Sequence, residues 1–303
     1  MGQQVFLAVG HGSRVPEAVA EARGFVAALS AHMGQEVGLC FLELADPDLA
    51  TGLTQAAQAA GAGGSVLALP LFLGAAGHQK NDVAAALQWA RGQFPDVHFH
   101  MATPLAPHAR LVELLALRIA EALAATEAAA DDRPAVLLVG RGSSDPGGNS
   151  EVARLAYLLF SSRRFHTVEY AFQAVGRPTV AEGIRRCVAL GAQRVIVVPY
   201  LLFTGIVERD IYAVAEATAA ETGLPLLRAA RLGIHPLLVE IAAQRLAEAM
   251  DGEAAINCDL CKYRFALPGH EEAVGRAQTT HHLHGGSAHA HSHDHDHEHD
   301  HAH

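Results

Sequence analysis

Lysine is nearly absent from this chain. Of its 22 basic residues only Lys80 and Lys262 are lysines, against 32 acidic residues, and the formal net charge is −10. That balance excludes a nucleic-acid-binding protein, which needs clustered Lys and Arg to displace phosphate counterions. An anionic partner must instead be met by arginines and backbone N–H groups. Cysteine is also scarce. Four in 303 residues exclude a disulfide scaffold, and a reducing cytoplasm is the expected compartment. Long apolar runs are missing as well: the longest uncharged one, VIVVPYLLFTGIV from Val195 to Val207, is short and broken by a proline, so no membrane span is expected. The opening MGQQVFLAVGHGSR has no basic n-region or cleavage site and reads as a strand rather than a signal peptide. Neither a P-loop nor a G-x-G-x-x-G occurs, so no nucleotide cofactor is expected.

What is present is half hydrophobic and strongly patterned. VFLAVG is followed by a helical stretch from about Pro16, VGLCFLEL by one from about Pro47, SVLALPLFL by one after Gly77, and VHFHMA by one from about Pro107. Strand and helix alternating in this way predict a parallel sheet covered on both faces. The order then recurs. AVLLVG repeats VFLAVG, TVEYAFQ repeats VGLCFLE, RVIVVPYLLFTG repeats SVLALPLFLGAAG, and GIHPLLVEIAAQRLAEAM repeats APHARLVELLALRIAEAL. The fold class is therefore α/β, two similar domains related by internal duplication, each a four-stranded parallel sheet flanked by helices. The expected boundaries are 1–127 and 134–250, then a Cys-containing appendage over 251–280 and a disordered His-rich tail over 281–303.

Ligands of parallel α/β sheets bind beyond the carboxyl ends of the strands. Three polar groups of the first half fall there: His11 after the first strand, Glu43 at the end of the second, and His78 after the third. Two imidazoles and a carboxylate suit a borderline divalent metal, and they equally suit proton abstraction near neutral pH. Singly, each has an ordinary reading as a loop histidine or a solvated strand end. The second half acts as an internal control. VGHGSR at Val9–Arg14 recurs as VGRGSS at Val139–Ser144, so His11 aligns with Arg141, while Glu43 aligns with Gln173 and His78 with Ile206. All three candidate groups are replaced, whereas His108 recurs as His235 and so reads as structural.

VGHGSR, FLELADPDL and LPLFLGAAGHQKND resemble the sirohydrochlorin chelatases, the type II chelatases that insert Co²⁺ or Fe²⁺ into a tetrapyrrole. The resemblance covers about residues 4–250. It implies two α/β domains with the site in the cleft between them, His11 and His78 as metal-binding histidines, and Glu43 as the acidic group beside them. It implies sirohydrochlorin and a divalent metal as substrates, with Co²⁺ favoured and Fe²⁺ or Ni²⁺ as alternatives. The turn N–H groups and side chains at Ser13 and Ser143, with Arg14 and Arg141, are candidates for holding the substrate carboxylates.

The CDLCKYR segment and the tail resemble the long cobalt-inserting members of that family. Cys258 and Cys261 form a lone C-x-x-C, half of a zinc or [4Fe–4S] ligand set. A second copy of the chain, giving a homodimer through the appendage, or His270 would complete it; an ordinary reduced pair is the other reading. Eleven of the 20 histidines lie in 281–303, many alternating with acids, a composition that binds metals weakly at many points. This leaves two rivals to a cobalt chelatase: a ferrochelatase of sirohaem synthesis, and a metal-buffering or delivery protein whose tail is the working part. Cys40 and Cys187 lie in apolar contexts and read as core.

Overall fold

The computed structural model describes residues 2–74, 77–126, 133–162 and 165–252, with the isolated Glu272; the side chains of His78, Gln79 and Ser162 lie outside this set. Cys258, Cys261, His270 and the tail histidines therefore lie outside the described residues. Among the described residues no helix is long and apolar enough to cross a membrane.

The first half contains β1 (Gln4–Gly10), α1 (Pro16–Met33), β2 (Val37–Phe41), α2 (Leu49–Ala60), β3 (Ser65–Pro70), a π-helical turn (His78–Val83) running into α3 (Ala84–Gln93), β4 (His98–Met101) and α4 (Ala109–Ala124). The second half repeats it with β5 (Ala135–Gly140), α5 (Pro146–Ser162), β6 (Val168–Phe172), α6 (Val180–Ala189), β7 (Val195–Pro199), α7 (Ile206–Thr222), β8 (Leu226–Arg228) and α8 (Pro236–Met250). Each sheet is four-stranded and parallel, in the orders β2-β1-β3-β4 and β6-β5-β7-β8. The duplicated α/β fold expected from the sequence is the one observed.

Strand side chains alternate between two cores because successive residues point to opposite sheet faces. Phe6 and Ala8 of β1 enter a central core, while Leu7 and Val9 enter an outer one against α2 and α3. β5 does the same, with Val136 and Leu138 central and Leu137 and Val139 outer. The central core is closed by α1, α4, α5 and α8, and its helices are exchanged. α8, the last helix of the second half, packs on β3 and α1; α4, the last helix of the first, packs on β7, β8 and α5. Order in sequence and order in space part here. The two exchanged helices also meet each other, with Arg110 ion-paired to Glu240 and Arg245 Nη2 donating to the Pro107 carbonyl at 2.7 Å.

The repeated histidines start these two helices. His108 Nδ1 accepts from the Arg110 N–H at 3.1 Å and His235 Nδ1 from the Leu237 N–H at 3.2 Å, each occupying the N-cap position. An imidazole caps only while that nitrogen is unprotonated, and burial, then nearby Arg118, holds His235 below its ordinary value in keeping with that role. Their structural reading is met. Cys40 and Cys187 are also core residues, buried, with thiols pushed up to about 12 chiefly by burial.

Candidate functional site

With the order β2-β1-β3-β4, the connections after β1 and β3 leave toward opposite faces of the sheet and open a crevice between them. The same holds in the second half, and the two crevices merge into one cleft of about 570 Å³, within the ordinary range for a small-molecule site. One wall carries His11, Gly12, Ser13 and Arg14; the other carries Arg141, Gly142 and Ser143.

The repeated G-x-G-S turn has a steric cause. Gly12 has φ 91° and Gly142 φ 92°, and a Cβ at these positions would lie 1.7 Å from the Glu43 carbonyl oxygen and 1.8 Å from that of Ala174. Only glycine lets the first turn lie this closely on the loop that follows β2 or β6. Each serine hydroxyl accepts from a backbone N–H two residues on, Val15 for Ser13 and Asp145 for Ser143, both at 3.0 Å. The Ser143 N–H donates to Asn149 Oδ1 at 2.9 Å, so of the two Ser143 donors the hydroxyl hydrogen is the one left for a ligand. Arg14 and Arg141 are exposed on the cleft, whereas Arg110, Arg118, Arg177, Arg185 and Arg228 are paired with glutamates elsewhere.

That close approach brings the first two candidate groups together. His11 Nδ1 lies 3.6 Å from Glu43 Oε1, each side chain 34% exposed, and 3.3 Å from the Gly12 carbonyl oxygen. Glu43 is two residues past the end of β2, in the loop rather than in the strand, tied down by its N–H donating to the His11 carbonyl at 3.1 Å. His78 opens the π-helical turn that follows β3; its side chain lies outside the described residues. Among the described residues no three His, Cys, Asp or Glu side chains form a metal-binding group, so the described pair alone is not a closed metal site.

One alignment from the sequence is corrected. The Gln173 N–H donates to the Gly140 carbonyl as Leu42 does to Gly10, and Ala174 donates to Arg141 as Glu43 does to His11. The counterpart of Glu43 is therefore Ala174, and Gln173 corresponds to Leu42. The control becomes sharper, since the second half has no carboxylate or amide at that point. Ile206, aligned with His78, likewise opens a helix, α7, and is exposed at the cleft.

Three features of the site escaped the sequence reading. Lys80, on the π-helical turn two residues from His78, forms a 2.8 Å ion pair with Asp145 beside the second turn, the side chains only 5% and 1% exposed. Asp145 also accepts from the Gly147 N–H at 2.9 Å at the start of α5. Tyr200, buried just past β7, donates from its hydroxyl to the Leu73 carbonyl across the cleft floor at 3.2 Å. Finally, Glu21 of α1 reaches the other half, accepting from the Thr204 N–H at 2.8 Å and pairing with Arg231.

Glu151 of α5 holds the place equivalent to Glu21 but lies against Gly74, with a buried Oε2 that has no hydrogen-bond partner among the described residues. Burial raises its carboxyl above the ordinary 4.5, partly offset by Arg154. The folded protein therefore binds more protons here than the unfolded chain, and stability falls as pH rises above that ordinary value. Glu151→Gln should raise the Tm relative to wild type at about pH 8 and lose that advantage toward about pH 4.5. Melting curves at the two pH values test this, and a pH-independent difference would refute it.

The family model CbiX matches this chain twice, over residues 5–122 and 135–249. The chain is 35% identical to a sirohydrochlorin cobaltochelatase of Priestia megaterium over 87% of its length and 86% of that protein. It is 33% identical to a sirohydrochlorin ferrochelatase of the same organism, over 79% of this chain and 88% of that one. Its structure resembles that of SirB from Bacillus subtilis with Fe³⁺, with a TM-score of 0.72 and 28% identity, covering 85% of this chain and all of the other. With two consecutive family domains meeting at one cleft, the chain belongs to the CbiX family of chelatases.

Proposed function

We propose that this protein inserts a divalent metal into sirohydrochlorin, with Co²⁺ as its metal. One observation carries the reading: an imidazole and a carboxylate paired on one wall of the cleft, His11 and Glu43 at 3.6 Å, face a second wall where the same turn carries Arg141 instead. Metal insertion requires the ring to lose two pyrrolic protons as the metal enters. Neutral imidazole at His11 and His78 holds an arriving metal weakly enough to release it, which thiolates would not. Glu43 accepts protons leaving the ring and balances the metal's charge while it is bound. Arg14 and Arg141, with the Ser13 and Ser143 hydroxyls, meet the peripheral carboxylates of the substrate and fix the ring above the histidine.

The cobalt assignment is supported by the 35% identical cobaltochelatase; iron is the second reading, supported by the ferrochelatase relative. The protein incubated with sirohydrochlorin and either Co²⁺ or Fe²⁺ under anaerobic conditions, without ATP, is followed by the tetrapyrrole absorption. Faster conversion with Co²⁺ is expected. Faster conversion with Fe²⁺ would reassign the metal. No acceleration over the uncatalysed reaction with either would leave the metal-delivery reading in its place.

A further inference from the structure

Among the described residues, two that are not glycine have positive φ: Leu44 at 61° and Val175 at 58°. They occupy the same place in the two halves, each following the residue whose carbonyl rests on the glycine of the G-x-G-S turn, Glu43 on Gly12 and Ala174 on Gly142. A left-handed backbone is unfavourable for an L-residue because Cβ crowds the next carbonyl, and a β-branched valine suffers most. Burial of the side chain does not repay this cost, since Leu44 is 47% and Val175 73% exposed. Glycine would adopt the same turn without strain. Leu44 and Phe41 line the cleft; Val175 lies at the equivalent point of the loop after β6, three residues past the cleft residue Phe172, and projects into solvent rather than lining the cleft itself.

A strained conformation that presents an apolar side chain to solvent, twice, points to something the side chain touches when the site is filled. Both positions lack charge and hydrogen-bonding capacity, so the partner surface is apolar. We infer that Leu44 and Val175 are a pair of substrate-contacting residues whose apolar side chains, held out at equivalent points of the two halves, pack on the conjugated ring of the tetrapyrrole and set its tilt over His11 and Glu43. The inference rests on the reading of the cleft as a sirohydrochlorin site. It divides recognition in two: the arginines meet the charged periphery, and these two residues meet the ring itself.

The test separates backbone strain from substrate contact. Leu44→Gly and Val175→Gly remove both, so each variant should melt at the same temperature as wild type or higher. Each should bind metal-free sirohydrochlorin about tenfold more weakly, and the double variant about a hundredfold, as read by fluorescence titration. Leu44→Met should keep wild-type affinity, because it keeps the apolar surface. Leu44→Asn and Val175→Asn, which tolerate the left-handed backbone but remove that surface, should weaken binding as the glycine variants do. Unchanged affinity in the glycine and asparagine variants would overturn the proposal and leave the two as turn residues. Lower melting temperatures in the glycine variants would overturn the strain argument on which it stands. Failure of the wild-type protein itself to bind sirohydrochlorin would remove the proposed function along with this inference, a result distinct from the first.

Discussion

His11→Ala should lower metal insertion by at least about a hundredfold, the usual scale for losing a positioned acid–base group, while sirohydrochlorin affinity stays close to that of wild type. Nothing else in the described site offers an imidazole 3.6 Å from Glu43, and alanine at this position leaves the turn glycine and its contact with the Glu43 carbonyl in place. Arg141→Ala should behave differently. A guanidinium neither ligates a metal nor accepts a proton at neutral pH; under the proposed function it holds a substrate carboxylate, a contact that would act alike in the ground and transition states. The expected result is a raised KM with a smaller change in kcat. Steady-state kinetics on both variants, with folding checked by circular dichroism, decide the matter. Substantial turnover in His11→Ala would remove the histidine from the chemistry. A kcat in Arg141→Ala as low as in the histidine variant would erase the division of labour between the two turns.

Lys80→Met should be the most destabilising of the single changes considered. Its partner Asp145 is almost fully enclosed, 2.8 Å away, and removing one member of such a pair leaves an uncompensated charge, at a cost of about 3–5 kcal/mol. The melting temperature should fall by roughly 10 °C. Adding Asp145→Asn to Lys80→Met should recover a large part of the loss, because asparagine removes the stranded charge and still accepts from the Gly147 N–H that Asp145 now caps. If the double variant melts no higher than Lys80→Met, the pair is not the source of the effect. Because Lys80 shares the π-helical turn with His78, the ion pair also ties that turn to the start of α5 in the second half.

The fold was legible in the sequence because parallel strands buried on both faces are written as unbroken apolar runs, and the runs recur in order. The turn after β1 was legible for a similar reason: VGHGSR and VGRGSS share the glycine that the close approach of Glu43 and Ala174 demands. Register within the loop was not. Gln173 resembles glutamate chemically and Ala174 does not, so residue similarity selected the wrong counterpart for Glu43, and only the backbone hydrogen bonds reveal the shift of one position. Nor was the exchange of α4 and α8, since an amphipathic helix records that one face is covered but not which sheet covers it. The Lys80–Asp145 pair left no trace either: two charges 65 residues apart in the chain share no periodicity that could announce their contact.

The exchanged helices bear on how an asymmetric site could arise at all. In this chain neither sheet is covered without a helix that belongs to the other half of the sequence. A polypeptide with a single half could complete such a core only by trading its last helix with an identical copy. Its two turns would then be identical too, with an imidazole on both walls or on neither. Joining the halves in one polypeptide makes the trade internal and permanent, and it frees each turn to mutate alone. His11 could then remain while its counterpart became Arg141, without either change being imposed on the other wall. A histidine and an arginine at the same position of the two turns is an arrangement that a symmetric dimer cannot encode.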